Sequence, residues 1–116
     1  MTDREMLEFA AKAADLELFD GVYGDKLRVY YTCPHTRLNR YAPWNPLTDD
    51  GDALRLAVRC AQLFGFYRFL RAWLIAMATE QGSPSDPCAA TRRAIVRAAA
   101  EIGKAQSAAR IGRQMP

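Results

Sequence analysis

The chain has one histidine and three cysteines in 116 residues. Any histidine-dependent mechanism therefore rests on His35 alone. The odd and widely spaced Cys33, Cys60 and Cys88 fit reduced thiols better than a disulfide framework. Structural zinc sites usually show two short ligand pairs, because short loops preorganise the ligands. Here "CPH" supplies one such pair, Cys33 and His35, while Cys60 and Cys88 lie at apolar helix positions. Whether the four come together is open at this level, and neither a metal nor a cofactor is expected. As a nucleophile pair Cys33 and His35 are weaker still, since Pro34 distorts the path and nothing orients the imidazole. Serine elbows, phosphate-binding glycine loops and dinucleotide fingerprints are missing. An enzyme is not expected.

Long apolar runs are missing too. No stretch of eighteen uncharged apolar residues occurs, so no membrane span is expected. The beginning, "MTDREMLEFAAKA", carries acids and lacks a continuous apolar core, unlike a secretory signal. Helix breakers are scarce in one place: from Phe66 to Gln81 there is no Gly, Pro, Asn or Asp. No hairpin turn is written there.

What is present is an ordinary globular composition, half apolar and a quarter charged. It suits a single domain over residues 1–103, followed by a basic tail over 104–116 that is expected to be flexible. Net charge is +3, unevenly spread. Residues 1–20 hold six acids against Arg4 and Lys12, and residues 89–116 hold six bases against Glu101. Helices of opposite charge can pack side by side, and a basic surface can also meet an acidic partner. Solvated helix faces are the plain alternative.

Thr2 with Glu5 forms a capping box, and Met6, Leu7, Ala10, Ala13 and Ala14 follow as an apolar stripe, predicting a helix that ends near Ala14. Alternation of Leu27, Val29 and Tyr31 with Arg28, Tyr30 and Thr32 predicts a strand, paired in a hairpin with one near Glu17–Val22. From Cys33 to Thr48 the chain has little periodicity, and three prolines prevent a regular helix. This expected loop concentrates Arg37, Arg40, Tyr41 and Trp44, the residue types that binding hot spots favour. Trp44 folding back onto the core is the competing reading.

In "WNPLTDDGDALRLAV" three carboxylates fall within four positions, Asp49, Asp50 and Asp52. A calcium loop would alternate its ligands and place a glutamate twelfth, where Cys60 stands. Helix capping explains the acids better, with Thr48 or Asp49 as N-cap and Leu54, Ala57, Val58 and Ala61 as the stripe. In the next segment Phe66, Phe69, Leu70, Trp73, Leu74 and Met77 share one helical face, with Arg68 and Arg71 opposite. If that segment is a helix, its apolar face exceeds one core contact, and part of it is free for a second copy or a target. The last helix begins at Asp86 and Pro87, with Cys88, Ile95, Ala99 and Ile102 inward, and is expected to stop at Gly103. Arg93, Arg97 and Lys104 share its far side, a candidate nucleic-acid-binding face.

Three blocks, "MTDREMLEFAAKAA", "WNPLTDDGDALRLAV" and "DPCAATRRAIVRAAAEIG", resemble the phage ABA sandwich domain family of tailed phages and prophages. The resemblance implies an α+β fold, a small antiparallel sheet flanked by helices, expressed in a bacterial cytoplasm. It implies no activity and no functional residues. Between Ala61 and Gly82 the resemblance implies strands and turns, whereas periodicity predicts a helix over residues 66–81, and the two readings stand side by side. The expectation is a non-enzymatic phage accessory protein that binds a host or phage protein through Arg37, Arg40, Tyr41 and Trp44. It would act on host machinery or a defence such as CRISPR. A homodimer and a nucleic-acid-binding protein using Arg93, Arg97 and Lys104 are the alternatives.

Overall fold

The computed structural model describes residues 1–20, 27–32, 39–80 and 86–114, with the side chains of 19, 20, 27, 30–32, 39–42 and 110–114 outside that description. In chain order the elements are α1 (Asp3–Ala13), β1 (Glu17–Asp20), β2 (Leu27–Thr32), β3 (Asn39–Pro43), α2 (Asp50–Phe64), α3 (Phe66–Thr79) and α4 (Pro87–Gln114). The fold is α+β and dominated by helices, with one antiparallel sheet in the order β1-β2-β3.

Helix α1 starts where the capping signal predicts, with the Thr2 hydroxyl accepting the Glu5 amide at 3.2 Å. Its buried face contains the whole predicted stripe and adds Ala11. Its end is closed by two backbone bonds, from the Leu16 amide to the Ala11 carbonyl and from the Asp15 amide to the Lys12 carbonyl. That pattern requires a left-handed residue, and Asp15 supplies it at φ 57°.

The hairpin registers Glu17 opposite Tyr30 and Asp20 opposite Leu27. A third strand lies inside the stretch expected to be a loop: Asn39–Pro43 pairs antiparallel with β2, Tyr41 opposite Tyr30. Pro43 ends this edge strand, where a missing amide costs no ladder bond. The sheet meets the helices chiefly through β1 against α1, and Val29 is buried in the shared core.

Phe66–Thr79 is helical, as periodicity predicts and against the strands that the resemblance implies for this region. Gly65 joins it to α2 at φ 93°, a backbone state that any larger residue would strain. The remaining helices pack around α4, most extensively α1. The expected stop at Gly103 is overturned, because α4 continues to Gln114 and residues 104–114 are helical. Gly103 instead lets two helices touch. A Cβ there would collide with the Phe9 carbonyl oxygen and lie 3.4 Å from the Ala13 methyl. Alanines line both sides of this crossing, Ala10, Ala13 and Ala14 against Ala99 and Ala100 among the buried residues. The larger core side chains, Met6, Leu56 and Val96, contribute about 1.5–3 kcal/mol each by leaving water.

Candidate functional site

The acidic cluster is consumed by local structure. Asp49 caps α2, accepting the Asp52 amide at 2.8 Å. Asp52 in turn accepts the Asn45 amide at 3.0 Å and pairs with Arg55 at 2.7 Å. Asp50 holds Arg92 of α4 at 2.6 Å, and the Arg92 Nε donates to the Leu47 carbonyl at 3.0 Å. Donation of a hydrogen bond to the Asp50 carboxylate raises the Arg92 pKa above its ordinary value, so the guanidinium stays charged as a cross-brace. Each acid has a structural task, in line with the capping reading.

Of the aromatic and arginine cluster of the predicted loop, only the Trp44 side chain is among the described residues. Arg37 lies outside the described residues. Arg40 and Tyr41 have their backbones in β3, opposite Tyr31 and Tyr30, and their side chains lie outside the description. Trp44 is 5% exposed and belongs to the core. Its indole therefore serves packing and offers no open face to a partner, which corrects its place among the binding residues.

The basic face of α4 is engaged from within. Arg97 donates to Glu80, at 3.0 Å from Nε and 2.9 Å from a terminal nitrogen. Arg93 reaches both Asp3 at 2.9 Å and Glu80 at 3.6 Å. The opposite charges of the two ends of the chain thus meet through Asp3 and Arg93. Lys104 is exposed on the same helix.

Of the thiols, Cys60 is fully buried in α2, and burial pushes its pKa up to about 11 against the small opposing effect of Arg59. A thiol so protonated is a poor nucleophile and metal ligand. Cys88 is exposed, contrary to its expected inward position. Cys33 and His35 lie outside the described residues. Among those residues no group of three metal-ligating side chains gathers.

The least explained surface is the outer side of α2 and α3. Helix α2 turns Ala53, Leu56 and Cys60 inward, so of the predicted stripe Leu54 and Val58 face out, while Ala57 and Ala61 are half-buried and Ala57 packs against the core. Helix α3 buries Phe69 and Ala76, with Trp73 and Met77 partly covered. The predicted stripe therefore splits, and Phe66 and Leu74 are outside. Leu54, Val58, Leu63, Phe66, Tyr67, Leu74 and Ile75 are each 45–84% exposed. Phe66 and Tyr67 meet edge-on at 5.9 Å beside the Gly65 corner.

Beyond the first turn of α2, charge on these helices is of one sign. Between Asp52 and Glu80 there is no carboxylate, only Arg55, Arg59, Arg68 and Arg71. Arg55 is paired with Asp52, and Arg59 donates to the Ala14 carbonyl at 3.1 Å. Arg68 lies over the Phe64 ring at 5.6 Å. Arg71 is exposed, with no ion pair or hydrogen bond among the described residues. The sequence signal for this surface is an apolar arc too wide for one core stripe. It includes Leu54 and Val58 as well as Ala53, Leu56 and Cys60. No family model, no curated protein and no solved structure matches this chain.

Proposed function

We propose that this chain is a non-enzymatic interaction module that binds a partner protein through the outer face of α2 and α3. The observation that carries the reading is seven large apolar side chains left exposed on two consecutive helices, four of them on α3. Helical spacing sets Tyr67, Leu74 and Ile75 on one side of α3, and exposed apolar surface of that kind marks an interaction site. Tyrosine and arginine in the same face are the residue types that anchor interfaces. The resemblance of three sequence blocks to a phage family supplies the setting, in which the partner is a host or phage protein and the outcome is altered host machinery or defence. The sandwich arrangement of sheet and helices also rests on that resemblance. A nucleic-acid role for Arg93, Arg97 and Lys104 is the weaker alternative, because Arg93 and Arg97 already hold carboxylates.

The test is affinity capture of the tagged protein from bacterial lysate, with and without nuclease. It compares the native chain with one carrying Tyr67→Ser and Leu74→Ser. A stoichiometric protein that survives nuclease and is lost with the double variant is expected, with unchanged circular dichroism. A catch that disappears with nuclease, or that ignores both substitutions, would sink the proposal. Loss through Arg40→Ala and Tyr41→Ala instead would move the site to β3.

A further inference from the structure

We infer that the α3 face is built for an acidic partner, a protein segment that presents carboxylates among apolar side chains. This rests on the binding reading above and adds to it the chemistry of the occupant. Residues 53–79 contain four arginines and no carboxylate. Arg68 and Arg71 stand three apart on one helix with no acid of this segment to separate them. Such like-charge neighbours cost a few tenths of a kcal/mol each in a free helix. The positive end of α3 adds to the field, for its first turn has no acid and no side-chain cap.

The position of Arg71 decides among occupants. It follows Tyr67 by four residues, precedes Leu74 by three and precedes Ile75 by four, so helical geometry sets it within the exposed apolar face. A second copy docked through the same face about a two-fold axis would add arginines and no carboxylate, since residues 53–79 contain none, and Arg68 and Arg71 would find no opposite charge there. A membrane-surface helix separates its apolar and charged sides, whereas here insertion of Tyr67, Leu74 and Ile75 would drag Arg71 out of water. Nucleic-acid interfaces are more polar and more positive than two arginines among aliphatic and aromatic groups. A carboxylate fits, because guanidinium and carboxylate pair in a fork while flanking apolar groups exclude water.

The probe is a displayed library of random helical peptides, selected on the full chain and counter-selected on the Leu74→Ser variant. Vesicles of phosphatidylserine and a single-stranded oligonucleotide are run in parallel. The expected binders are Leu74-dependent, amphipathic and enriched in Asp and Glu over the input. Their affinity should fall about 10–100-fold when Arg68→Glu and Arg71→Glu are combined. Circular dichroism of both variants should match the native chain, since all three positions are outside the core. Leu74-dependent peptides that are neutral or basic would overturn the acidic partner while leaving the binding surface intact. Recovery of no Leu74-dependent peptide would overturn both, as would Leu74-dependent binding to the vesicles or the oligonucleotide alone.

Discussion

Asp49 and Asp50 stand next to each other, and their neighbourhoods give them different work. Asp49 meets the free amide of Asp52 at a helix start, while Asp50 meets Arg92, which arrives from a helix 42 residues away. The first task is local and visible in the sequence; the second needs the fold. Cys60 shows the same dependence in its chemistry. It has ordinary thiol composition, but burial holds the thiol protonated up to about pH 11, against 9.0 in the open chain. The unfolded chain therefore releases this proton first. The stability contributed by the neutral thiol is full below pH 9 and is lost as pH rises from 9 to 11. Two pKa units correspond to at most about 3 kcal/mol. Urea denaturation at several pH values should show a shallower alkaline loss for Cys60→Ala than for the native chain. Parallel curves would mean that the buried thiol is not linked to folding. Under native conditions a maleimide should label Cys88 and reach Cys60 only after denaturation.

At the scale of elements, Gly103 argues against the usual reading of its kind. In an exposed helix interior a change from glycine to alanine stabilises by roughly 1 kcal/mol. Here the added methyl meets the Phe9 carbonyl oxygen, so α1 and α4 must move apart along an alanine-lined crossing. Gly103→Ala should destabilise by about 1–3 kcal/mol in urea denaturation, the range for overfilling a close-packed site. A gain in stability would show that the two helices do not meet this closely. Helix starts were legible in the sequence because caps act over four residues: Thr2, Asp49 and Asp86 all accept amides where expected. For α3 the period and the lack of turn residues pointed to a helix while the resemblance pointed to strands, and the period was the better guide. Strand β3 was not, since "NRYAP" is short, polar and ends in proline, and only pairing with β2 makes it a strand. The stop at Gly103 failed for a related reason, because glycine at a helix end and glycine at a helix crossing look the same in sequence. The outer face of α2 was misassigned because Leu54 and Val58 and Leu56 and Cys60 are both apolar pairs at helical spacing. Only the packing of α3 and α4 against α2 decides which pair is covered.

For the whole molecule, the uneven charge of the sequence becomes an internal connection. Glu80, at the end of α3, is the junction: its side chain is 13% exposed and receives Arg97 and Arg93, and Arg93 also reaches Asp3 in α1. The first helix and the last two are thus tied by one short network, and the basic face of α4 is partly neutralised by it. This sets the expected behaviour toward nucleic acid. The native chain should bind a labelled duplex oligonucleotide weakly at low salt, and Arg93→Ala with Arg97→Ala should barely change that binding. Glu80→Ala should lower stability by about 1–3 kcal/mol, because Arg97 loses its carboxylate partner and its hydrogen bonds. The same substitution should strengthen oligonucleotide binding in a salt-dependent way, since phosphates then replace the lost carboxylate. Gel-shift titrations at two salt concentrations, beside urea denaturation, measure both effects on the same samples. If the native chain binds the duplex tightly and loses it with the two arginine substitutions, α4 is a nucleic-acid face despite its internal pairs. If Glu80→Ala changes neither stability nor binding, the network contributes nothing, and the packing of α1, α3 and α4 rests on its apolar contacts alone.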